Sequence, residues 1–178
     1  MMARLILVGI IGAALGFHLS GIQRDLPFTP EVDEPQFVTR AVNMAATGDL
    51  NPGWFGSPGS TVLYPLAGIC HVWNAVAHNG TLFRPDAALQ TTFQSNGSEF
   101  YVLGRLLTIF YAVMSVPLVY LVGRRAFAER VALMGAGLSM LYPVAALHAQ
   151  MVRSDSAATF FGLLGLWLCL RLYHRPTA

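Results

Sequence analysis

The sequence has few charged residues and no lysine. Of its 178 residues, 11% are charged and 54% are hydrophobic, whereas about a quarter of the residues in an ordinary soluble domain are charged. This excess of apolar residues predicts a polytopic membrane protein. All 11 basic residues are arginine, which we attribute to composition bias, and the net charge of +2 indicates no particular partner.

Cysteine and the short motifs of soluble enzymes are also scarce. Cys70 and Cys169 are the only cysteines, and the topology predicted below places them toward opposite membrane faces, so no disulfide framework is expected. The sequence contains no Walker loop, GxGxxG, CxxC pair, His-rich metal spacing or internal repeat. Nucleotide hydrolysis, redox chemistry, zinc chemistry and nucleic-acid binding therefore have no support.

Four apolar segments have about the length of a membrane span. A spanning helix needs about 17 to 25 mostly apolar residues, and the segments are 5–22, 102–122, 131–147 and 157–172. A fifth candidate, residues 62–77, is shorter and contains Pro65, His71 and Asn74. The predicted fold class is an all-α polytopic membrane protein with about four transmembrane helices and two surface helices in its first outer loop.

Arginine clusters decide between four and five spans. Short cytoplasmic loops collect arginine, and the clusters are Arg4, the segment GRRAFAER at 123–130, and the pair Arg171 and Arg175. All three can be cytoplasmic only if residues 62–77 do not cross the membrane. We therefore predict an outer loop at 23–101, with residues 148–156 on the same outer face. A crossing at 62–77 would instead place Asp155 opposite the acids of the first outer loop.

The first apolar segment also has features of a secretory signal peptide. We favour a retained anchor, because three further spans follow and no small-x-small cleavage site ends the apolar run. Cleavage near GAALG would leave the rest of the topology unchanged.

The long outer loop contains helical patterns. In DEPQFVTRAVNMAATG, Asp33 or Glu34 can cap a helix, Pro35 suits its first turn and Gly48 can end it. Its apolar residues fall on one face, which predicts a helix along the membrane surface: Phe37, Val38, Ala41, Met44 and Ala45. Arg40 and Asn43 are expected in water. Residues 62–77 are predicted as a second surface helix. Residues 78–100 are predicted as polar loop with a short helix at 85–92.

The outer face carries the candidate functional residues. Asp33 and Glu34 follow the first span, Arg105 opens the second, and Arg153 and Asp155 follow the third. Both arginines stand on the side of the membrane where the charge rule does not require them.

These features together resemble a known family. The acid pair is followed by MAATGDLNP, by GRLLT at the start of the second span, by VYLVGRRAF at its end, and by an Arg-x-Asp after the third span. Their order and spacing are similar to those in the N-terminal part of the GT-C superfamily of membrane glycosyltransferases. The most similar branch is that of protein O-mannosyltransferases and their bacterial relatives, which transfer sugars or aminoarabinose from polyprenyl phosphate.

The resemblance implies a function and roles for the candidate residues. A mannose-like hexose or aminoarabinose would move with inversion from a polyprenyl-phosphate donor to a protein, lipid or glycan acceptor on the outer face of a bacterial or archaeal cell membrane. Asp33, with Glu34 beside it, would be the catalytic base. Arg105 and Arg153 would bind the donor phosphate. Asp155 would support the site or help to hold a divalent cation, where one is used; no other cofactor is expected.

Structural interpretations of the same residues remain open. Asp33, Glu34 and Asp155 can serve as helix caps, and Arg105 can extend its side chain to the lipid headgroups. His148 and Trp54 are expected to be membrane-interface residues. The alternative function is a non-catalytic membrane protein or a transporter fragment.

The chain is much shorter than the members of this family, which carry more spans and often a C-terminal soluble domain. We therefore interpret residues 1–178 as one membrane-embedded N-terminal module whose C-terminal remainder is missing.

Overall fold

Every regular element that the structure describes is an α-helix. The computed structural model describes residues 2–28, 32–54 and 59–173, and the all-helical prediction is confirmed over this part of the chain. Its eight helices, in chain order, are α1 (Met2–Leu19), α2 (Asp33–Thr47), α3 (Ser60–Ala77), α4 (Ala88–Ser95), α5 (Gly97–Ala126), α6 (Glu129–Met140), α7 (Pro143–Ala149) and α8 (Asp155–Tyr173).

Three of the described helices are long and apolar enough to cross a membrane. They are α1, α5 and α8, and the pair α6 and α7 would make a fourth span if the two helices are one bent crossing. With a rise of 1.5 Å per residue, the 18 residues of α1 extend about 27 Å, close to the thickness of the hydrocarbon layer. These helices indicate an integral membrane protein, and the number of four spans stays a prediction.

The predicted third span is not one continuous helix. Helix α6 ends at Met140 and α7 begins at Pro143, and their axes differ by 59°. Tyr142 has an extended backbone, with ψ of 113°, because the proline ring disfavours a helical conformation in the preceding residue. The expectation of an uninterrupted helix over 131–147 was wrong.

Helix α2 begins and ends close to the predicted positions. Gly48 ends the helix in the left-handed conformation, with φ of 74°, and its N–H donates to the carbonyl of Met44. Val32 takes the N-cap position without a side-chain cap hydrogen bond. The expectation that Asp33 or Glu34 caps this helix was therefore wrong, because both lie within its first turn, where the helix dipole favours a carboxylate.

Protein rather than lipid covers the apolar face of α2. Helices α3 and α4 pack on α2, and the five apolar residues predicted to share one face are buried: Phe37, Val38, Ala41, Met44 and Ala45. Arg40, which was expected in water, is half-buried and donates from Nη1 to the carbonyl of Pro52 at 2.8 Å. Helix α3 is not among the helices apolar enough to span a membrane. Its position at the membrane surface stays a prediction.

The chain divides into two compact units. The span unit consists of Met1–Gly21, Ile109–Gln150 and Asp155–Ala178, and the loop unit consists of Ile22–Thr108 and Met151–Ser154. In the span unit, α1 packs on α6 and α7 packs on α8. In the loop unit, α2 is the central helix, and the first twelve residues of α5 belong to this unit. The single module predicted over 1–178 stays a prediction.

Candidate functional site

A buried ion pair joins two elements of the loop unit. Arg105 on α5 donates from Nε to Glu34 Oε1 and from Nη2 to Glu34 Oε2, and both hydrogen bonds are 2.8 Å long. Arg105 is 3% exposed and Glu34 is 1% exposed. Two parallel hydrogen bonds between a guanidinium and a carboxylate fix both the distance and the orientation of the pair. The pair therefore holds the first turn of α2 against α5.

The same two side chains bind three further backbone groups. Arg105 Nη1 donates to the carbonyl oxygens of Ile22 at 2.9 Å and Arg24 at 2.7 Å. The backbone N–H of Val152 donates to Glu34 Oε1 at 3.1 Å. A buried charge is stable only when its hydrogen-bonding groups are satisfied. The pair thus connects four segments of the loop unit: residues 22–24, the start of α2, the start of α5 and residues 151–154.

A second and more exposed ion pair lies beside the first one in sequence. Arg153 Nη2 is 3.3 Å from Asp33 Oδ2, with side-chain exposures of 25% and 50%. Asp33 precedes Glu34, and Arg153 follows Val152, so the backbone hydrogen bond between Val152 and Glu34 sets the alignment of the two segments. The exposed pair therefore depends on the buried one for its geometry.

The structure gives the two predicted phosphate-binding arginines different surroundings. Four hydrogen bonds to protein oxygens occupy the Arg105 guanidinium, whereas the Arg153 guanidinium is partly exposed. The alternative that Arg105 extends to the lipid headgroups was wrong, because its side chain is buried against Glu34. The predicted phosphate-binding role of Arg105 and the catalytic role of Glu34 stay predictions that these contacts do not favour.

Asp155 belongs to the span unit. It is the first residue of α8, and its Oδ1 is 3.9 Å from Nδ1 of His148, an ion pair when the imidazole is protonated. Both residues line a cavity of that unit. Its predicted supporting role stays a prediction.

The described part of the chain contains no cluster of metal-binding side chains. Over residues 2–28, 32–54 and 59–173, no three His, Cys, Asp or Glu side chains are grouped so that they could hold a metal ion. The predicted divalent cation therefore stays an expectation from the family resemblance alone.

The pairing of Glu34 with Arg105 was missed at the sequence level. Both residues were singled out, but the two were assigned separate roles in catalysis and phosphate binding. The available signal was that an arginine at the outer end of a span needs a counter-ion when it is not exposed. Sequence alone did not tell which of two adjacent acids would supply it.

The comparisons with known proteins found no relative. No family model, curated protein or solved structure matches the chain.

Proposed function

We propose that the protein is a membrane glycosyltransferase that moves a sugar from a polyprenyl-phosphate donor to an acceptor on the outer face of the membrane. The proposal rests on the order of motifs that resembles the GT-C superfamily. The observation that carries it is the exposed pair of Asp33 and Arg153, which brings a carboxylate and a guanidinium within 3.3 Å although 119 residues lie between them.

In the proposed reaction, Arg153 binds the donor phosphate and releases Asp33. A guanidinium binds phosphate through two parallel hydrogen bonds, so the arriving phosphate competes with the carboxylate for Arg153. The freed Asp33 accepts the proton of the acceptor hydroxyl. The hydroxyl oxygen forms a bond to the anomeric carbon from the face opposite the phosphate, and the bond from that carbon to the phosphate oxygen breaks. The electron pair leaves with the lipid phosphate, and the configuration inverts.

Glu34 and Arg105 act in this proposal as positioning residues. Their buried pair holds the start of α2 and, through the N–H of Val152, the segment that carries Arg153. This arrangement fixes the distance between the proposed base, Asp33, and the proposed phosphate-binding group, Arg153. Neither of these two side chains is needed to hold the segments together. It replaces the direct catalytic role of Glu34 and the phosphate contact of Arg105 that the sequence suggested.

Replacement of Asp33 by Asn tests the proposed base. Asparagine is similar in size to Asp33 but cannot accept the proton, so transfer of labelled sugar from polyprenyl phosphate should fall by about 10²-fold or more. The measurement uses membranes that contain the protein, with insertion checked by extraction and immunoblotting. Asp49→Asn is the matched control, because Asp49 is an exposed acid of the same loop whose Oδ1 accepts from the N–H of Asn51.

Two results would contradict the proposal in different ways. Full transfer by Asp33→Asn would remove Asp33 from the chemistry and leave its carboxylate as a partner of Arg153 only. No transfer by the unmodified protein from any polyprenyl-phosphate sugar would favour the alternative of a non-catalytic membrane protein or a transporter fragment.

A further inference from the structure

The span unit contains a cavity that the proposed reaction does not use. Its volume is about 370 Å³, within the range of small-molecule sites, which begins at about 300 Å³. The ends of α1, α7 and α8 meet at it, and the middle of α5 forms part of its wall. We call it the span-unit cavity.

The wall formed by α8 changes from polar to apolar along its length. Asp155, Thr159 and Leu163 line the cavity and stand four residues apart, so they share one face of the helix. With a rise of 1.5 Å per residue, this face extends about 12 Å from a carboxylate through a hydroxyl to an aliphatic side chain. On α5, Val116 and Val119 also line the cavity. The gradient matches a molecule with a polar head and an apolar chain.

The polar end of the cavity contains one carboxylate, that of Asp155, and hydroxyl and imidazole groups, and none of the described residues that line it is an arginine. His18 is 3% exposed, and its Nδ1 has no hydrogen-bond partner within the described residues. His148 and Asp155 lie 3.9 Å apart. No arginine is among the described residues that line the cavity, and the chain contains no lysine. A polar group inside a membrane region usually has a function, because its burial without a partner is costly.

We propose that the span-unit cavity binds a single-chain lipid whose head group donates hydrogen bonds and carries no negative charge, a hydroxyl or an ammonium group. The head lies at Asp155 and the two histidines, and the chain extends toward Leu163 and the valines of α5. An anionic head group is disfavoured, because the Asp155 carboxylate would repel it. The inference concerns binding alone and does not depend on glycosyl transfer.

Native mass spectrometry of the purified protein tests this site with three lipids that share one chain. Oleyl alcohol, oleylamine and oleyl phosphate differ only in the head group. Bound fractions should give affinities for the alcohol and the amine that exceed the affinity for the phosphate by about tenfold or more. Asp155→Asn should weaken binding of the amine, because the attraction of the carboxylate for the ammonium is lost. The difference in affinity between oleylamine and oleyl phosphate should therefore become smaller.

A blocking variant with a matched control locates the bound lipid. Ala145 lines the cavity, so Ala145→Trp should fill part of it and lower the affinity for oleyl alcohol by about tenfold or more. Ala158 is exposed on α8 and does not line the cavity, so Ala158→Trp should bind normally. Equal binding to the Ala145 variant, or tighter binding of oleyl phosphate than of the other two lipids, would overturn the proposal.

Discussion

At the scale of single residues, the two candidate arginines, Arg105 and Arg153, differ in what surrounds them. Arg105 is buried and shares four hydrogen bonds with protein oxygens, whereas Arg153 is a quarter exposed and paired with a half-exposed acid. Breaking a buried pair leaves an uncompensated charge, but solvent replaces the lost partner of an exposed one. The same substitution should therefore have different consequences at the two positions.

Replacement of each arginine by alanine should separate stability from binding. Arg105→Ala leaves the Glu34 carboxylate buried and unpaired, which commonly costs about 3 to 5 kcal/mol. Arg153→Ala removes a solvent-exposed pair, for which the cost is about 0 to 1 kcal/mol. Thermal unfolding in detergent should rank the variants in this order. Equal losses of stability would mean that the buried pair contributes no more than the exposed one.

Among variants that remain folded, Arg153→Ala should weaken donor binding more than Arg105→Ala does. If Arg153 contacts the donor phosphate, Arg153→Ala should weaken binding of a polyprenyl-phosphate sugar by about 30-fold or more, and Arg153→Lys less, because lysine keeps the charge but loses the planar contact. Titration with labelled donor lipid measures the change. Unchanged affinity in Arg153→Ala would remove this residue from the proposed donor site.

The sequence could identify the charged residues that the structure brings together, but not how they pair. Asp33, Glu34, Arg105 and Arg153 all stood out because each is a charge beside an apolar span. The two adjacent acids have similar chemistry, and Arg105 lies 71 positions after Glu34. Only the tertiary structure, in which Arg105 pairs with Glu34, determines that one acid is buried and the other exposed.

At the scale of elements, a glycine allows the segment that carries Arg153 to approach α5 closely. A Cβ atom at Gly104 would lie 2.6 Å and 3.2 Å from the two methyl carbons of Val152 and 3.3 Å from a methyl carbon of Leu66. Val152 is β-branched and has few rotamers with which to avoid the contact. Its N–H also donates to Glu34, so a shift of Val152 would disturb the buried pair.

Alanine substitutions at two helical glycines should differ in their effect on stability. Gly104→Ala gains about 0.5 to 1 kcal/mol from helix propensity but should lose about 1 to 3 kcal/mol from overpacking, a net destabilisation. Gly68 on α3 has open space where a Cβ would lie, so Gly68→Ala should be neutral or stabilising. Thermal unfolding of both variants measures this contrast. A stabilising Gly104→Ala would show that Val152 can move without cost.

The existence of the helices was predictable, but some of their interruptions and partners were not. Gly48 ended α2 as predicted, because the left-handed conformation favours glycine. Pro143 lay inside an apolar run, and hydropathy does not detect a bend. The apolar face of α2 was assigned to the membrane surface, because periodicity identifies a buried face without identifying what buries it.

At the scale of the whole molecule, the orientation of the spans decides the side on which the candidate site lies. Helices α1, α5 and α8 are long enough to cross, and α3 is not apolar enough to be counted with them. The proposed function requires Asp33 and Arg153 on the outer face. The arginine clusters predict that arrangement only if α3 stays on one side.

The two native cysteines of this chain should give little background signal in single-cysteine labelling. Cys70 is fully buried, and burial raises the pKa of its thiol to about 12. Maleimides react with the thiolate, so below that pKa Cys70 stays protonated and should be unreactive. Cys169 is exposed and is replaced by Ser. The protein without an engineered cysteine should then give no signal, which is the control for both labelling positions.

Two engineered cysteines distinguish the four-span arrangement from the one in which α3 crosses. Ser95 ends α4 and Ala126 ends α5, and both are exposed. With α3 on the outer face, a membrane-impermeant maleimide added to intact cells should label Ser95→Cys and should reach Ala126→Cys only after permeabilisation. If α3 crosses the membrane, each of the two positions lies on the opposite face. Ala126→Cys should then be labelled from outside, and Ser95→Cys should not. The reversed pattern would place GRRAFAER outside against the charge rule and Asp155 opposite Asp33, which would contradict the four-span prediction.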